Sequence, residues 1–145
     1  MTFQRESVQQ IFNDCLPMLI KHWAEVTPFK SYDLEPDFGS YLAMEEAGML
    51  RLFTARKDGQ LLGYCIFVLR NNRHYKSKLF AYQDALYVSP QHRGFGHRFM
   101  AWCDDELKAD GVSVVFQYVT ERFNFSPILE RHKYRQIEQV WAKEL

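Results

Sequence analysis

Residues 81–110 read AYQDALYVSPQHRGFGHRFMAWCDDELKAD, and the change of period inside this run places the rest of the chain. Ala81–Val88 has the aromatic and aliphatic content of a strand, with side chains alternating between two faces. Beyond it, Phe99, Trp102, Cys103 and Leu107 recur at helical spacing, and Gly111 closes that helix. Between the two lies SPQHRGFGHR (89–98), with one proline, two glycines and two arginines. A glycine pair where a strand hands over to a helix lets the backbone come close to a ligand, and the first amides of the helix have no intrahelical partner. With the helix dipole those amides form an anion site, best suited to phosphate. Gly94, Phe95, Gly96 and His97 would offer main-chain donors, while Arg93 and Arg98 add charge. The same spacing also occurs in tight turns whose arginines are merely solvated.

Working outward, VSVVFQYV (112–119) is β-branched and aromatic and reads as a strand. RFNFSPILERHKY (122–134) reads as a helix capped by Asn124 or Ser126 with Pro127 at its start, and RQIEQVWAKEL (135–145) as a final strand. Upstream, MLRLFTAR and QLLGYCIFVLR flank Asp58-Gly59, a hairpin turn pair, and NNRHYKSK (71–78) separates that hairpin from the strand ending at Val88. TFQRES is a short strand. Ser7 caps a brief helical turn, Asp14 caps a helix with Pro17 in its first turn, and Leu16, Leu19, Ile20 and Trp23 share one face of it. A loop from Val26 to Asp37 precedes a second helix ended by Gly48. The expected order is αα, three antiparallel strands, α, β, α, β, in one domain spanning 1–145, with no internal repeat.

Eighteen basic side chains balance eighteen acidic ones, so no global field favours nucleic acid or an anionic membrane, and neither is expected as a partner. The three cysteines, Cys15, Cys65 and Cys103, show neither a CxxC spacing nor an even count. They suggest no disulfide framework and no zinc site, and a reducing cytoplasm is the expected setting. The histidines, His22 and His132 among them, have no metal-ligand spacing, so no metal is expected. The start of the chain lacks an apolar secretory segment. Phe12, Trp23, Trp102, Phe116 and Trp141 are expected in the core.

The loop lacks the GK[ST] of a Walker motif and the third glycine of a dinucleotide fingerprint. Gln91-His92-Arg93-Gly94-Phe95-Gly96 resembles instead the Gln/Arg-x-x-Gly-x-Gly/Ala signature of the GNAT N-acetyltransferase superfamily, and LYVSPQHRGFG resembles its strand and pyrophosphate loop. The order of elements is similar along nearly the whole chain, as in a small stand-alone member of bacterial or phage type. The resemblance implies a mixed, mostly antiparallel sheet with central splayed parallel strands flanked by helices. It implies acetyl-coenzyme A as co-substrate, with the pyrophosphate on the loop amides and the pantetheine arm along Leu86, Tyr87 and Val88. The Val88 amide would then polarise the thioester carbonyl, and Asn124 would contact the coenzyme, unless it only caps the helix.

Acetylation of an amine needs a group to take the amine proton. Asp84 lies on the strand ending at Val88, and a period of two puts it on one face with Tyr82, Leu86 and Val88. Asp84 is the candidate base, with Tyr82 as the alternative; ordering of a loop is the competing role for the carboxylate. His74, Tyr75, Glu45 and Glu46 are further candidates for the acceptor side. The position at which many family members carry a tyrosine acid holds Leu129, and this leaves a noncatalytic binding module with a retained coenzyme site as the rival reading. The acceptor would be a small amine, an aminoglycoside-like molecule or a protein amine, and a homodimer is left open.

Overall fold

In the computed structural model, which describes residues 1–145, β1 (Thr2–Arg5) pairs antiparallel with β2 (Leu50–Lys57). β2 pairs antiparallel with β3 (Gln60–Asn72), and β3 with β4 (Tyr75–Val88). β4 alone has a parallel neighbour, β5 (Val112–Phe116), so the sheet order is β1-β2-β3-β4-β5. Helices α1 (Val8–Val26), α2 (Phe38–Glu46), α3 (Gly96–Ala109) and α4 (Ser126–Arg131) complete a mixed α/β fold around this curled sheet. At the β2–β3 turn Asp58 and Gly59 have φ of 51° and 81°, the left-handed pair that matches the twist of the flanking strands.

The strands alternate between two apolar layers. On one side Phe53, Cys65, Phe67, Leu69 and Ala81 pack with Phe95, Phe99, Cys103 and Leu107 of the α3 region. On the other, Leu52, Tyr64, Ile66 and Tyr87 pack with Val8, Ile11 and Cys15 of α1 and, at the margin, Phe38, Tyr41 and Met44 of α2. A sheet covered on both faces explains the nearly continuous apolar run of β3.

Several local expectations are corrected. Ser7 starts one continuous helix, α1, through a capping box with Gln10, and Pro17 lies inside it. An internal proline costs roughly 3 kcal/mol, but a stripe from Val8 through Ile11 and Cys15 to Leu19 holds both halves of α1 on the sheet. Asp14 therefore caps nothing; it receives a 2.8 Å hydrogen bond from Arg56 Nη1. The same registry turns Phe12, Leu16 and Ile20 outward. NNRHYKSK is not a spacer, because β3 and β4 run on to a tight turn at Arg73 and His74.

At the far end, β5 stops at Phe116, and α4 follows Phe125 as its N-cap rather than Asn124 or Ser126. Residues 135–145 form no strand and are all exposed, Trp141 at 87% among them. No helix is long and apolar enough to cross a membrane.

Candidate functional site

The parallel ladder between β4 and β5 ends at Tyr82 and Phe116. β4 continues to Val88, so from Gln83 onward its outer edge faces no strand. Gln83 spans the start of the gap with its side chain, its Oε1 accepting the Tyr118 N–H at 2.9 Å. The gap opens into a cleft continuous with solvent and lined by Leu86, Tyr87, Val88, Gly96, Met100, Phe123, Phe125 and Ile128, with Glu25 and Val26 from α1 and Arg93. A mainly apolar slot beside an unpaired strand edge can take an extended chain that bonds the free main-chain groups, as an added strand would.

At one end of the cleft sits the glycine loop. Pro90–Phe95 form a 3-10 turn, so α3 begins at Gly96, whose N–H bonds to Arg93 C=O. Neither Gly94 nor Gly96 has a positive φ, and a Cβ built on either meets nothing within 4 Å. Neither backbone conformation nor crowding in the free protein requires glycine there; the bare backbone leaves open space in front of the first turn of α3. Arg93 does not point into that space. Its guanidinium pairs with Glu25, donates to Val88 C=O at 3.3 Å and lies 4.1 Å from the Phe123 ring centroid, tying α1, β4 and the 120s segment together. Arg98 and His97 are exposed on the first turn of α3, and Gln91 is exposed before it. Asn124 is exposed, with Oδ1 accepting the Ser126 N–H at 2.9 Å, a local turn bond.

Asp84 lies near the start of the unpaired edge of β4, four residues before Val88, and is not among the residues that line the cleft. The β3–β4 register shifts between Ile66 and Phe67, which oppose Ala85 and Gln83, so Asp84 is the extra residue of a bulge. The bulge changes the facing derived from a period of two. Tyr82 opposes Val68, on the α1–α2 side, whereas Leu86 packs into the α3 layer with Val88. Asp84 thus does not share a face with Leu86 and Val88. Its carboxylate accepts a hydrogen bond from the Tyr41 hydroxyl of α2, and burial followed by this bond raises the Tyr41 pKa. Tyr82 stacks on Phe116 at 4.9 Å, with the Arg70 guanidinium 4.2 Å from its ring centre.

The other candidate residues are placed as follows. Glu45 accepts the Val8 N–H at 3.0 Å and serves the start of α1. Tyr75 starts β4, nine residues before Asp84, about 30 Å away at strand rise, and His74 shares its turn. Leu129 is buried and has no proton to give. Lys133 takes the left-handed φ of 65° after α4, and the Tyr134 hydroxyl donates to Asp104 at 2.6 Å. No group of three or more His, Cys, Asp or Glu side chains could hold a metal ion.

Tyr41, His22, Glu25, Phe123 and Phe125 were not legible as site residues. The two phenylalanines did precede a proline-started helix, but Tyr41, His22 and Glu25 carry no local signal. His22 stacks on Tyr87 at 5.0 Å and lies 2.8 Å through Nδ1 from the Tyr64 hydroxyl. Burial pushes its pKa from 6.5 to about 4, against a smaller upward pull from Glu25. The unfolded chain therefore binds this proton first, and stability is expected to fall as pH drops through 6.5 and on towards 4, by about 2–3 kcal/mol from this residue. His22→Gln, which cannot titrate, should flatten that limb. Urea midpoints across the range check it, and an equally steep loss in the variant would exclude His22 as the cause.

The model for the Acetyltransferase (GNAT) family matches residues 5–126, most of the chain, and the chain belongs to that family of acetyltransferases. Its fold is similar to that of an aminoglycoside acetyltransferase from an uncultured soil metagenomic sample, solved with sisomicin, at TM-score 0.71 and 15% identity over 99% of this chain and 96% of that one. It is similar also to a ribosomal-protein-alanine N-acetyltransferase from Brucella melitensis (TM-score 0.66, 15% identity, 100% and 98% covered). A third similar fold is a predicted acetyltransferase from Clostridium acetobutylicum solved with acetyl-CoA (0.68, 10%, 99% and 95%). No curated protein matches by sequence. At these identities the neighbours establish the fold.

Proposed function

We infer that the chain transfers the acetyl group of acetyl-coenzyme A to an amine by direct attack, without a covalent enzyme intermediate. The observation that carries this is the unpaired β4 edge from Gln83 to Val88, which leads into the open glycine loop. The residues fit the coenzyme. The apolar slot suits a pantetheine arm, and the space before Gly94 and Gly96, which a Cβ would invade, suits a pyrophosphate at a helix start. Because the Gly96 N–H is taken by Arg93 C=O, contrary to its expected role as a donor, amides after Gly96 in the first turn of α3 would hold the phosphates with Arg98, while Arg93 fixes the cleft wall. When bound, the coenzyme supplies the activated acetyl thioester. The Val88 amide would donate to its carbonyl oxygen, and Asp84 would take the proton of the attacking amine, directly or through water, with Tyr82 as the alternative. The thiolate proton comes from solvent, since Leu129 cannot give one.

Two of the similar folds are named for amine acceptors, an aminoglycoside and a ribosomal-protein alanine, which supports an amine here without choosing between a small molecule and a protein. The buried Leu129 favours a second reading, a noncatalytic module that binds the coenzyme. Turnover on an amine panel separates the two.

Coenzyme A is expected to raise the melting temperature by several degrees, since a ligand at 100 times its Kd adds about 2.7 kcal/mol. Pantetheine alone should do little and 3′,5′-ADP an intermediate amount. Equal shifts with pantetheine and whole coenzyme would remove the anion role of the loop. Salt should weaken the effect only moderately, because most donors are backbone amides and Arg93 is already paired with Glu25.

A further inference from the structure

We propose that Arg70 anchors an anionic group of the acceptor, so that the acceptor is an amine that also carries a carboxylate or a phosphate, and not a polycation. This rests on the reading of the chain as an amine acetyltransferase and adds the class of amine. Its starting point is a guanidinium held in place with no acid to bind. Tyr82 and Phe116 are the last pair of the parallel ladder, where the unpaired edge of β4 begins. Their rings stack at 4.9 Å and 15°, and the Arg70 guanidinium lies over the Tyr82 ring, 4.2 Å from its centre. Arg70 comes from β3, where it pairs with Phe80 across the ladder, and it is exposed. The ion pairs of the protein use Arg5, Arg51, Arg56 and Arg93, not Arg70. A guanidinium already held at a ring face loses little freedom on binding, and its fork of N–H donors matches a carboxylate or a phosphate.

The surrounding charge points the same way. From Gly59 to Gln83 the chain has no acidic residue, and Arg70, Arg73, Lys76 and Lys78 all fall there. All four are exposed, and none enters an ion pair. Asp84 follows at once, so this stretch of β3 and β4 offers a group of cations and then a single carboxylate. That order complements a ligand with an anion at one end and an ammonium at the other. It opposes an aminoglycoside or a polyamine, whose charges are all positive and would meet Arg70 on the way to Asp84. Tyr118 belongs to the same group: burial and then Tyr82 raise its pKa, while Arg70 pulls it down and Glu138 pushes it up. Glu138 is the acid that faces this place, and it stands exposed on the irregular segment that ends the chain.

Matched amines that differ only in the anion test this: glutamate against glutamine amide, alanylglutamate against alanylglutamine amide, and phosphoethanolamine against ethanolamine, with spermidine as the polycation. In at least one pair the anionic member is expected to have a kcat/KM at least tenfold higher, through a lower KM, and the pair that shows it tells a free amino acid, a peptide and an amino phosphate apart. Arg70→Gln should shrink that difference about tenfold with coenzyme A affinity unaltered, and Arg70→Lys should keep part of it, since charge remains and the planar fork is lost. A preference for the neutral members or for spermidine would overturn the proposal. So would an Arg70→Gln loss equal for both members of a pair, which is what a mere support for Tyr82 would give. If no amine is acetylated, the acetyl-transfer reading falls, and calorimetry of the same pairs on the coenzyme A complex decides the subsite by itself. Anionic members that bind the unaltered protein more tightly than Arg70→Gln keep it; equal or absent binding overturns it.

Discussion

Gly94→Asp is expected to weaken coenzyme A binding by on the order of 10²-fold or more, about 2.7 kcal/mol or above, without disturbing the fold. A Cβ at this position meets nothing within 4 Å and the backbone φ is not positive, so the free protein accommodates the side chain. The cost arises only in the complex, where a carboxylate would occupy the space before the α3 amides and repel the pyrophosphate. Gly94→Ala is the steric control, expected to lose less because it adds volume without charge. Titration calorimetry reads both affinities, and ligand-free melts establish that the variants are folded. A folded Gly94→Asp protein with unchanged affinity would move the phosphate site away from this loop.

Asp84→Asn is expected to keep coenzyme affinity within a few fold and slow turnover roughly 10²-fold at neutral pH, because it preserves shape and removes the basic group. Tyr41→Phe separates basicity from positioning. It leaves the carboxylate in place and removes one hydrogen bond to it, so about a tenfold loss is expected, from a charge-assisted bond of ~1.5 kcal/mol. Initial rates with a saturating amine measure both. Near-normal turnover in Asp84→Asn would pass the proton to Tyr82 or to water. A Tyr41→Phe loss as large as that of Asp84→Asn would make placement of the carboxylate, rather than its basicity, the limiting factor.

Much of the fold was legible because local chemistry and tertiary structure agree there. The Asp58-Gly59 turn, the helical spacing of Phe99, Cys103 and Leu107 and the glycine run before them are each decided within a few residues. The reading failed where distant packing outweighs a local preference. Pro17 marks a helix start by propensity, but α1, packed on the sheet beneath it, is continuous from Val8 to Val26 with Pro17 inside. RQIEQVWAKEL has the composition of a strand, but pairing needs a partner edge, and its own chain does not place one beside it.

The sequence by itself determined that a strand ends in a glycine loop that opens a helix, because period, turn residues and helix-start chemistry are properties of neighbouring residues. It determined also that Asp84 lies just before that strand's end. Only the tertiary structure decided what surrounds them. A one-residue bulge on β4 puts Asp84 with Tyr41 instead of with Leu86 and Val88, and the choice depends on registry against β3. Arg93 turns from the loop to Glu25 and Phe123, partners 68 and 30 positions away in the chain. Side-chain direction at such places is set by which charges and rings the fold brings within a few ångströms, and no local pattern encodes that distance.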